Sequence, residues 1–178
     1  MTEKELKYLE IKAYNLIGFY FEGKKDKGNN DYVNHLYCVA DSIRNEANKE
    51  VADIHSPLSI FYERAYIVAL LHDILEDTDC TEQELRNEGC DDIIIEAIKS
   101  VTRQEDEKYY FDFIKRVSKN LIGRLVKIYD LENNMDIRRL KKFGDYEQKR
   151  LKKYWYSWKY LKGEITEEEA EKAIHLCK

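Results

Sequence analysis

Residues 58–77 read LSIFYERAYIVALLHDILED, and this stretch decides the class of fold. Within it, residues 65–71 form the longest apolar run of the chain. A helix built from such a run carries hydrophobic surface on all sides and must be buried by its neighbours. Ser56 and Pro57, directly before it, are typical of a helix start as N-cap and first-turn proline. The sequence therefore predicts a central helix over about residues 58–75.

The composition indicates the same class of fold. The 178 residues include one proline and seven glycines, which are too few for the tight turns of a strand-rich domain. Threonine followed three residues later by glutamate is a capping box, and it occurs at Thr2, Thr81 and Thr166. We therefore predict an all-α protein, a single helical domain over residues 1–178. The helices are expected over about residues 2–23, 32–49, 58–75, 81–89, 91–102, 106–119, 121–142, 145–162 and 166–178.

Charge and hydropathy argue against several classes of function. The formal net charge is −5, from 30 basic and 35 acidic side chains, and the mean hydropathy is −0.69. A dedicated duplex-DNA-binding protein carries a basic footprint instead. The apolar run is far shorter than the roughly 18 residues of a membrane span, and the first residues contain no apolar signal core. We expect a cytoplasmic protein that binds neither duplex nucleic acid nor membranes, and the sequence leaves its oligomeric state open.

A cluster of ionisable side chains follows the apolar run. His72 and Asp73 are adjacent, and Glu76 and Asp77 come four residues after them. If the helix continues, each of these carboxylates lies one turn beyond its partner on the same face. Carboxylates near a helix C-terminus oppose the helix dipole, which indicates a cation nearby. An imidazole beside a carboxylate suits manganese, iron or zinc.

Two neighbouring side chains cannot fill a coordination sphere, so other helices must contribute ligands. The candidates are His35, early in the second predicted helix, and Asp130, inside the largely apolar residues 125–131. Lys127, Asp130 and Asn134 are spaced i, i+3 and i+7, which places them on one polar stripe of a helix. Taken singly, the histidine is interpreted as an ordinary half-buried residue and the aspartate as a paired core carboxylate. Only the complete set indicates a metal site.

The set resembles a known family. His35, His72-Asp73 and Asp130, in that order on helices, are similar to the H…HD…D signature of the HD-domain metal-dependent phosphohydrolases. Residues 69–79, ALLHDILEDTD, resemble the HDxxED segment of the RelA/SpoT-type (p)ppGpp hydrolases and their short stand-alone relatives.

Flanking segments resemble the same branch. Residues 24–26 (KKD) and 32–35 (YVNH) are similar to its RKDG…PYxxH motif, and residues 126–134 (VKIYDLENN) are similar to its VKLADxxxN segment. Arg150 and Tyr154 fall where the family has an R…Y pair. The resemblance spans about residues 8–160, so the C-terminal helix is expected as an appendage to the domain.

The resemblance implies an HD-domain bundle that hydrolyses a phosphorylated nucleotide. The implied reaction removes pyrophosphate from guanosine 3′,5′-bis(diphosphate), the nucleotide of the stringent response. One divalent ion is implied, manganese by resemblance, with iron and zinc as alternatives. Its implied ligands are His35, His72, Asp73 and Asp130. Glu76 and Asp77 would orient or deprotonate the water and protonate the leaving oxygen. The implied substrate contacts are Lys24, Lys25, Lys127, Asn134 and Tyr154.

Departures from the family pattern leave alternatives open. Lys24 replaces an arginine and Tyr129 replaces a small alanine, and both are expected to touch the pocket. Other HD phosphatases act on the 2′-phosphate of NADPH or on nucleoside 5′-monophosphates, and released pyrophosphate or orthophosphate would separate these reactions. From a different class, the chain could be a non-catalytic nucleotide-binding HD module. The acids Glu76 and Asp77 argue against that interpretation, because a binding module has little need of them.

Overall fold

In the computed structural model, which describes residues 1–53 and 56–177, the chain folds into α-helices joined by short loops. The described residues contain no β-strand, only an isolated bridge between Lys25 and Asp31. None of the helices in these two ranges is long and apolar enough to cross a membrane. The helices are α1 (Glu3–Tyr20), α2 (Val33–Glu50), α3 (Pro57–Leu71), α4 (Ile74–Asp77), α5 (Glu82–Asn87), α6 (Asp92–Val101), α7 (Tyr110–Val117), α8 (Leu121–Asn134), α9 (Asp145–Lys162) and α10 (Glu167–His175), with a 3-10 turn at Ile137–Arg139.

The predicted central helix is α3. Its residues 65–71 are all buried, which agrees with their apolar character. The Ser56 hydroxyl accepts a hydrogen bond from the Ser59 amide, and Pro57 occupies the first turn. The three predicted capping boxes, at Thr2, Thr81 and Thr166, are present at the starts of α1, α5 and α10. Local sequence signals therefore fixed the starts of these helices correctly.

The end of α3 differs from the prediction. The helix stops at Leu71, and Asp73 has φ −100° and ψ 0° before the chain starts again as α4. The ring nitrogen Nδ1 of His72 lies 2.8 Å from the carbonyl oxygen of Ala69. A continuing helix would use that carbonyl for the amide of residue 73, so the histidine competes with the next helical hydrogen bond. Glu76 consequently lies in a separate short helix, and the dipole argument does not apply to it.

Two other predicted helices are shorter in the structure. The helix expected over 121–142 ends at Asn134, because the Asp136 carboxylate accepts a hydrogen bond from the Arg138 amide and starts the 3-10 turn. The helix expected over 106–119 begins at Tyr110.

Two hydrophobic clusters hold the helices together. The first is formed mainly by α1, α2, α3 and α6, and the second by α7, α8, α9 and α10. Helix α8 belongs to both, since Val126 packs in the first cluster and Leu131 in the second. Ala170 and Ile174 of α10, the helix expected as an appendage, are buried in the second cluster. The polar stripe of α8 therefore lies at the seam between the clusters.

Helices α6 and α8 approach closely at Gly123. A Cβ atom added there would lie 1.9 Å from the Ser100 hydroxyl oxygen and 3.3 Å from the Ser100 Cβ. That hydroxyl is buried and hydrogen-bonded to the carbonyl of Ala97 at 2.7 Å. The contact requires glycine because no side chain fits between the two helices.

We expect Gly123→Ala to lower the free energy of unfolding measured by urea titration. Overpacking costs about 1–3 kcal/mol, and the better helix propensity of alanine recovers at most about 1 kcal/mol. Gly18→Ala is the matched control, because Gly18 also lies in a helix but has nothing within 4 Å of an added Cβ. Ser100→Ala should partly rescue Gly123→Ala. Equal stability of the two glycine variants would contradict the close contact.

Candidate metal centre and cavity

Three separate helices bring four side chains to one point. His35 lies in the first turns of α2, His72 and Asp73 follow the end of α3, and Asp130 lies on α8. The Asp130 Oδ1 atom is 3.1 Å from His35 Nε2 and 3.6 Å from His72 Nε2. The Asp73 Oδ2 atom is 3.7 Å and 3.1 Å from the same two nitrogens. The structure therefore brings together the residues that the resemblance implied as metal ligands.

The histidines are oriented for a cation. His35 Nδ1 lies 2.7 Å from the Asn133 side-chain oxygen, and His72 Nδ1 lies 2.8 Å from the Ala69 carbonyl. Both partners are acceptors, so each ring carries its proton on Nδ1 and turns Nε2 towards the aspartates. His72 Nε2 is buried and has no hydrogen-bond partner among the described residues. An unsatisfied buried nitrogen beside two carboxylates fits a divalent ion such as manganese, iron or zinc.

The charged neighbours in the cluster shift one another's pKa values. Burial alone would lower the pKa of His72, but the Asp73 and Asp130 carboxylates raise that pKa to about 10. Burial alone would raise the pKa of Asp73, and the neighbouring His72 lowers it to about 2. Lys127 Nζ lies 2.6 Å from Asp130 Oδ2 and, against the effect of burial, holds the pKa of Asp130 well below its usual range. The carboxylates stay ionised, so protons and cations compete for this position.

Two further carboxylates lie beside the cluster. The first is Asp77. The Tyr32 hydroxyl lies 2.7 Å from Asp73 Oδ2 and 2.9 Å from Asp77 Oδ2, so it links Asp77 to the cluster. Glu76 Oε2 accepts a hydrogen bond of 3.0 Å from the Arg103 amide, which ties α4 to the loop after α6. The Tyr32 ring stacks on Phe21 with centroids 5.2 Å apart and planes at 7°. Each of these two carboxylates is therefore held in place through one oxygen.

These groups line a cavity of about 500 Å³ at the seam between the two hydrophobic clusters. His72 lies beneath the surface, with 1% of its side chain exposed. The predicted site residues that line the cavity are Lys25, His35, Asp73, Glu76, Asp77, Lys127, Asp130, Asn134 and Tyr154. The Asn134 amide donates to Asp130 Oδ1 at 2.5 Å, so the polar stripe predicted on α8 is present.

Lys24 and Tyr129 differ from the expectation. The Lys24 ammonium donates to the backbone carbonyl of Asp77 and lines a neighbouring depression with Phe19 instead of the cavity. The Tyr129 hydroxyl points away from the cavity and donates to the Glu46 carboxylate of α2. The physical reason is that both side chains find partners outside the cavity. Neither of these two departures from the family pattern therefore lines the cavity.

The structure also adds cations that the sequence did not single out as site residues. Seven lysines and arginines line the cavity, against five carboxylates. These additional basic residues are Lys27, Arg103, Arg150 and Lys153, and Arg139 lies beside His35. Only Arg150 had been noted, as part of the R…Y resemblance. The others match no motif position, and no local signal in the sequence distinguishes them from surface charges.

Four of these cations form a basic cluster, defined as Lys27, Arg103, Arg150 and Lys153. None of them makes an ion pair within the described residues. Burial and the nearby arginines lower the pKa of Lys153, and burial and Arg150 lower the pKa of Lys27. The Lys153 ammonium also lies 4.4 Å from the centroid of the Tyr110 ring. A bound anion would relieve the repulsion among these cations, so the cavity offers the ligand cluster for a cation and the basic cluster for an anion.

Comparisons with known proteins establish the fold. Neither a protein-family model nor a curated protein matches the chain. Among solved structures, the chain is similar to a metazoan orthologue of SpoT, a protein described as hydrolysing ppGpp and taking part in starvation responses. The TM-score is 0.67 with 18% sequence identity, over 99% of this chain and 95% of that one. The predicted all-α bundle is therefore confirmed, and nearly the whole of that protein has a counterpart here.

The basic cluster predicts that pyrophosphate stabilises the chelator-treated protein. At ten times its Kd the anion should raise Tm by about 3–5 °C. Lys153→Gln should raise Tm without the ligand, because repulsion falls, and should reduce the rise caused by pyrophosphate. Lys152→Gln, an exposed neighbour outside the cavity, is the matched control. An unchanged pyrophosphate response in Lys153→Gln would contradict the anion site.

Proposed function

We propose that this chain is a metal-dependent phosphohydrolase of the HD-domain, RelA/SpoT-type branch. The favoured reaction is hydrolysis of guanosine 3′,5′-bis(diphosphate) to GDP and pyrophosphate. The observation that carries the proposal is the unsatisfied His72 Nε2 in a buried group of two imidazoles and two carboxylates beside Glu76 and Asp77. The shared fold with a SpoT orthologue that hydrolyses ppGpp supports it.

The proposed ligands of a single divalent ion are His35, His72, Asp73 and Asp130. Manganese is the favoured ion by family resemblance, and iron and zinc suit the same mixture of nitrogen and oxygen atoms. When bound, such an ion supplies Lewis acidity, which neutralises phosphate charge and makes water a better nucleophile. Lys127 adds a fixed positive charge, because its ammonium is buried against Asp130.

The acid pair moves the protons. Water attacks the phosphorus bonded to the ribose O3′ atom, a new P–O bond forms, and the P–O3′ bond breaks. Glu76 accepts the proton of the attacking water through the carboxylate oxygen that the Arg103 amide does not occupy. Asp77 delivers a proton to the leaving O3′, and the proton taken up by Glu76 replaces it directly or through solvent, so the acid pair ends the reaction as it began. The Tyr32 hydroxyl lies within hydrogen-bonding distance of both Asp73 and Asp77, so it holds these two carboxylates at a fixed separation.

The rest of the cavity suits a ligand with phosphates at two ends. Lys25 and Lys127 would contact the 3′-diphosphate, Asn134 and Tyr154 the nucleoside, and the basic cluster the 5′-diphosphate. NADPH, whose 2′-phosphate and central diphosphate are also separate, is the second candidate on the same observation. A nucleoside 5′-monophosphate has a single phosphate and would leave the basic cluster unneutralised. A purely binding module does not explain why Glu76 and Asp77 face the cavity.

We also propose a cytoplasmic location and a small-molecule nucleotide as the partner. The four cysteines are free thiols, which is usual for proteins in a reducing compartment.

A product screen tests the reaction. The purified chain with Mn²⁺ is incubated with ppGpp, NADPH and nucleoside monophosphates, and the products are separated by ion-exchange chromatography. We expect GDP and pyrophosphate in equal amounts from ppGpp. Orthophosphate from NADPH would instead favour the second candidate, and binding of ppGpp without products would favour the binding module.

Variants separate the proposed roles of the carboxylates. Asp73→Ala should lose Mn²⁺ and activity together, since a ligand is gone. Glu76→Gln should retain Mn²⁺ but lower kcat by at least about 100-fold, because the base is lost. Asp79→Asn, an exposed acid outside the cavity, is the matched control and should change neither quantity. A parental kcat for Glu76→Gln would show that its assigned role is wrong.

A further inference from the structure

Arg139 connects a metal-ligand candidate to a loop of the cavity wall. The arginine lies in the 3-10 turn after α8, and the loop, here called the basic loop, comprises residues 24–31. One end of the guanidinium group reaches towards His35, and the other reaches the basic loop. No motif in the sequence indicates this connection, because the residues that make it are far apart along the chain.

On the His35 side, Arg139 acts through Asn133. Arg139 Nη1 donates to the Asn133 carbonyl at 3.0 Å and also to the Asn133 side-chain oxygen. The same side-chain oxygen lies 2.7 Å from His35 Nδ1. Because the arginine can only donate, it keeps the amide oxygen, and not the amide nitrogen, facing the imidazole. This orientation places the His35 proton on Nδ1 and leaves Nε2 free beside Asp130.

On the loop side, Arg139 is paired with Asp26. Arg139 Nη2 lies 3.1 Å from Asp26 Oδ2, and only 8% of the Asp26 side chain is exposed. The other oxygen, Asp26 Oδ1, accepts hydrogen bonds of 2.8 Å from the amides of Gly28 and Asn30. A Cβ atom at Gly28 would lie 2.6 Å from the Arg139 carbonyl oxygen, so the loop packs directly on the backbone of the turn.

We propose that Arg139 is a positioning residue that sets the ligating tautomer of His35 and couples metal affinity to the order of the basic loop. The inference rests on the proposed function, because it requires His35 to bind the metal. Coupling between two sites is reciprocal, so metal binding orders the loop as much as loop order strengthens metal binding. Lys25 and Lys27 line the cavity from this loop, so loop order also decides where their charges lie.

The test compares two adjacent arginines. Mn²⁺ binding is measured by isothermal titration for the full chain, for Arg139→Gln and for Arg138→Gln. Loss of the Asn133 clamp should weaken Mn²⁺ binding about 10–100-fold, the range found when partners of a ligating histidine are removed. Arg138 is the matched control, because its side chain is 88% exposed and its ion pair is with Asp136. Arg138→Gln should bind Mn²⁺ as the parent does.

Hydrogen exchange measures the coupling between metal binding and the order of the basic loop directly, without substrate. In the parent, Mn²⁺ should slow exchange of the amides of Gly28 and Asn30, and in Arg139→Gln it should not. Asn133→Ala, which leaves the Arg139–Asp26 pair intact, is a second variant in case Arg139→Gln fails to fold. It should also weaken Mn²⁺ binding and remove the effect of Mn²⁺ on these amides.

The outcomes are distinguishable. Equal Mn²⁺ affinity of the Arg139 and Arg138 variants, or an Mn²⁺ effect on the loop that survives Asn133→Ala, would overturn the coupling and leave the proposed function standing. A parent chain that binds none of Mn²⁺, Fe²⁺ and Zn²⁺ would overturn both.

Discussion

The buried carboxylate of Asp130 is the constraint on which the structure depends. An ionised carboxylate is costly to bury unless charges and hydrogen bonds surround it. Here Lys127 lies on one oxygen, and His35, His72 and Asn134 lie around the other. Satisfying this group requires α2, the end of α3 and α8 to meet at one point. The same meeting assembles the candidate metal centre, so the stability of the bundle and the geometry of the site have a common origin.

The break after α3 is the second decisive feature. If α3 had continued past Leu71, Glu76 and Asp77 would lie on one more turn of the same helix. Instead, His72 takes the Ala69 carbonyl, Asp73 leaves helical geometry, and α4 carries the two carboxylates along the cavity. The regular helical hydrogen-bond pattern is interrupted at the residues expected to carry the chemistry, and such interruptions are typical of functional sites.

The distribution of charge in the cavity suits its proposed ligand. The whole chain is acidic, yet the cavity is lined by more cations than carboxylates. The acidic residues and the basic cluster line the same cavity, at the seam between the two hydrophobic clusters. For the proposed ligand, a small polyanion with phosphate at both ends, a bound metal and the basic cluster would each neutralise one end.

The sequence by itself determined the helical class, the central apolar helix, the capped helix starts and the polar stripe on α8, because these depend on neighbours within a few residues. It also indicated His35, His72, Asp73 and Asp130 as one set, through their similarity to a family signature. Only the tertiary structure decided the early end of α3, the placement of Lys24 and Tyr129 outside the cavity lining, the basic cluster and the link from Asp26 through Arg139 to His35. These features join residues distant along the chain, and a competition among hydrogen-bond and charge partners decides each of them only once the helices have packed.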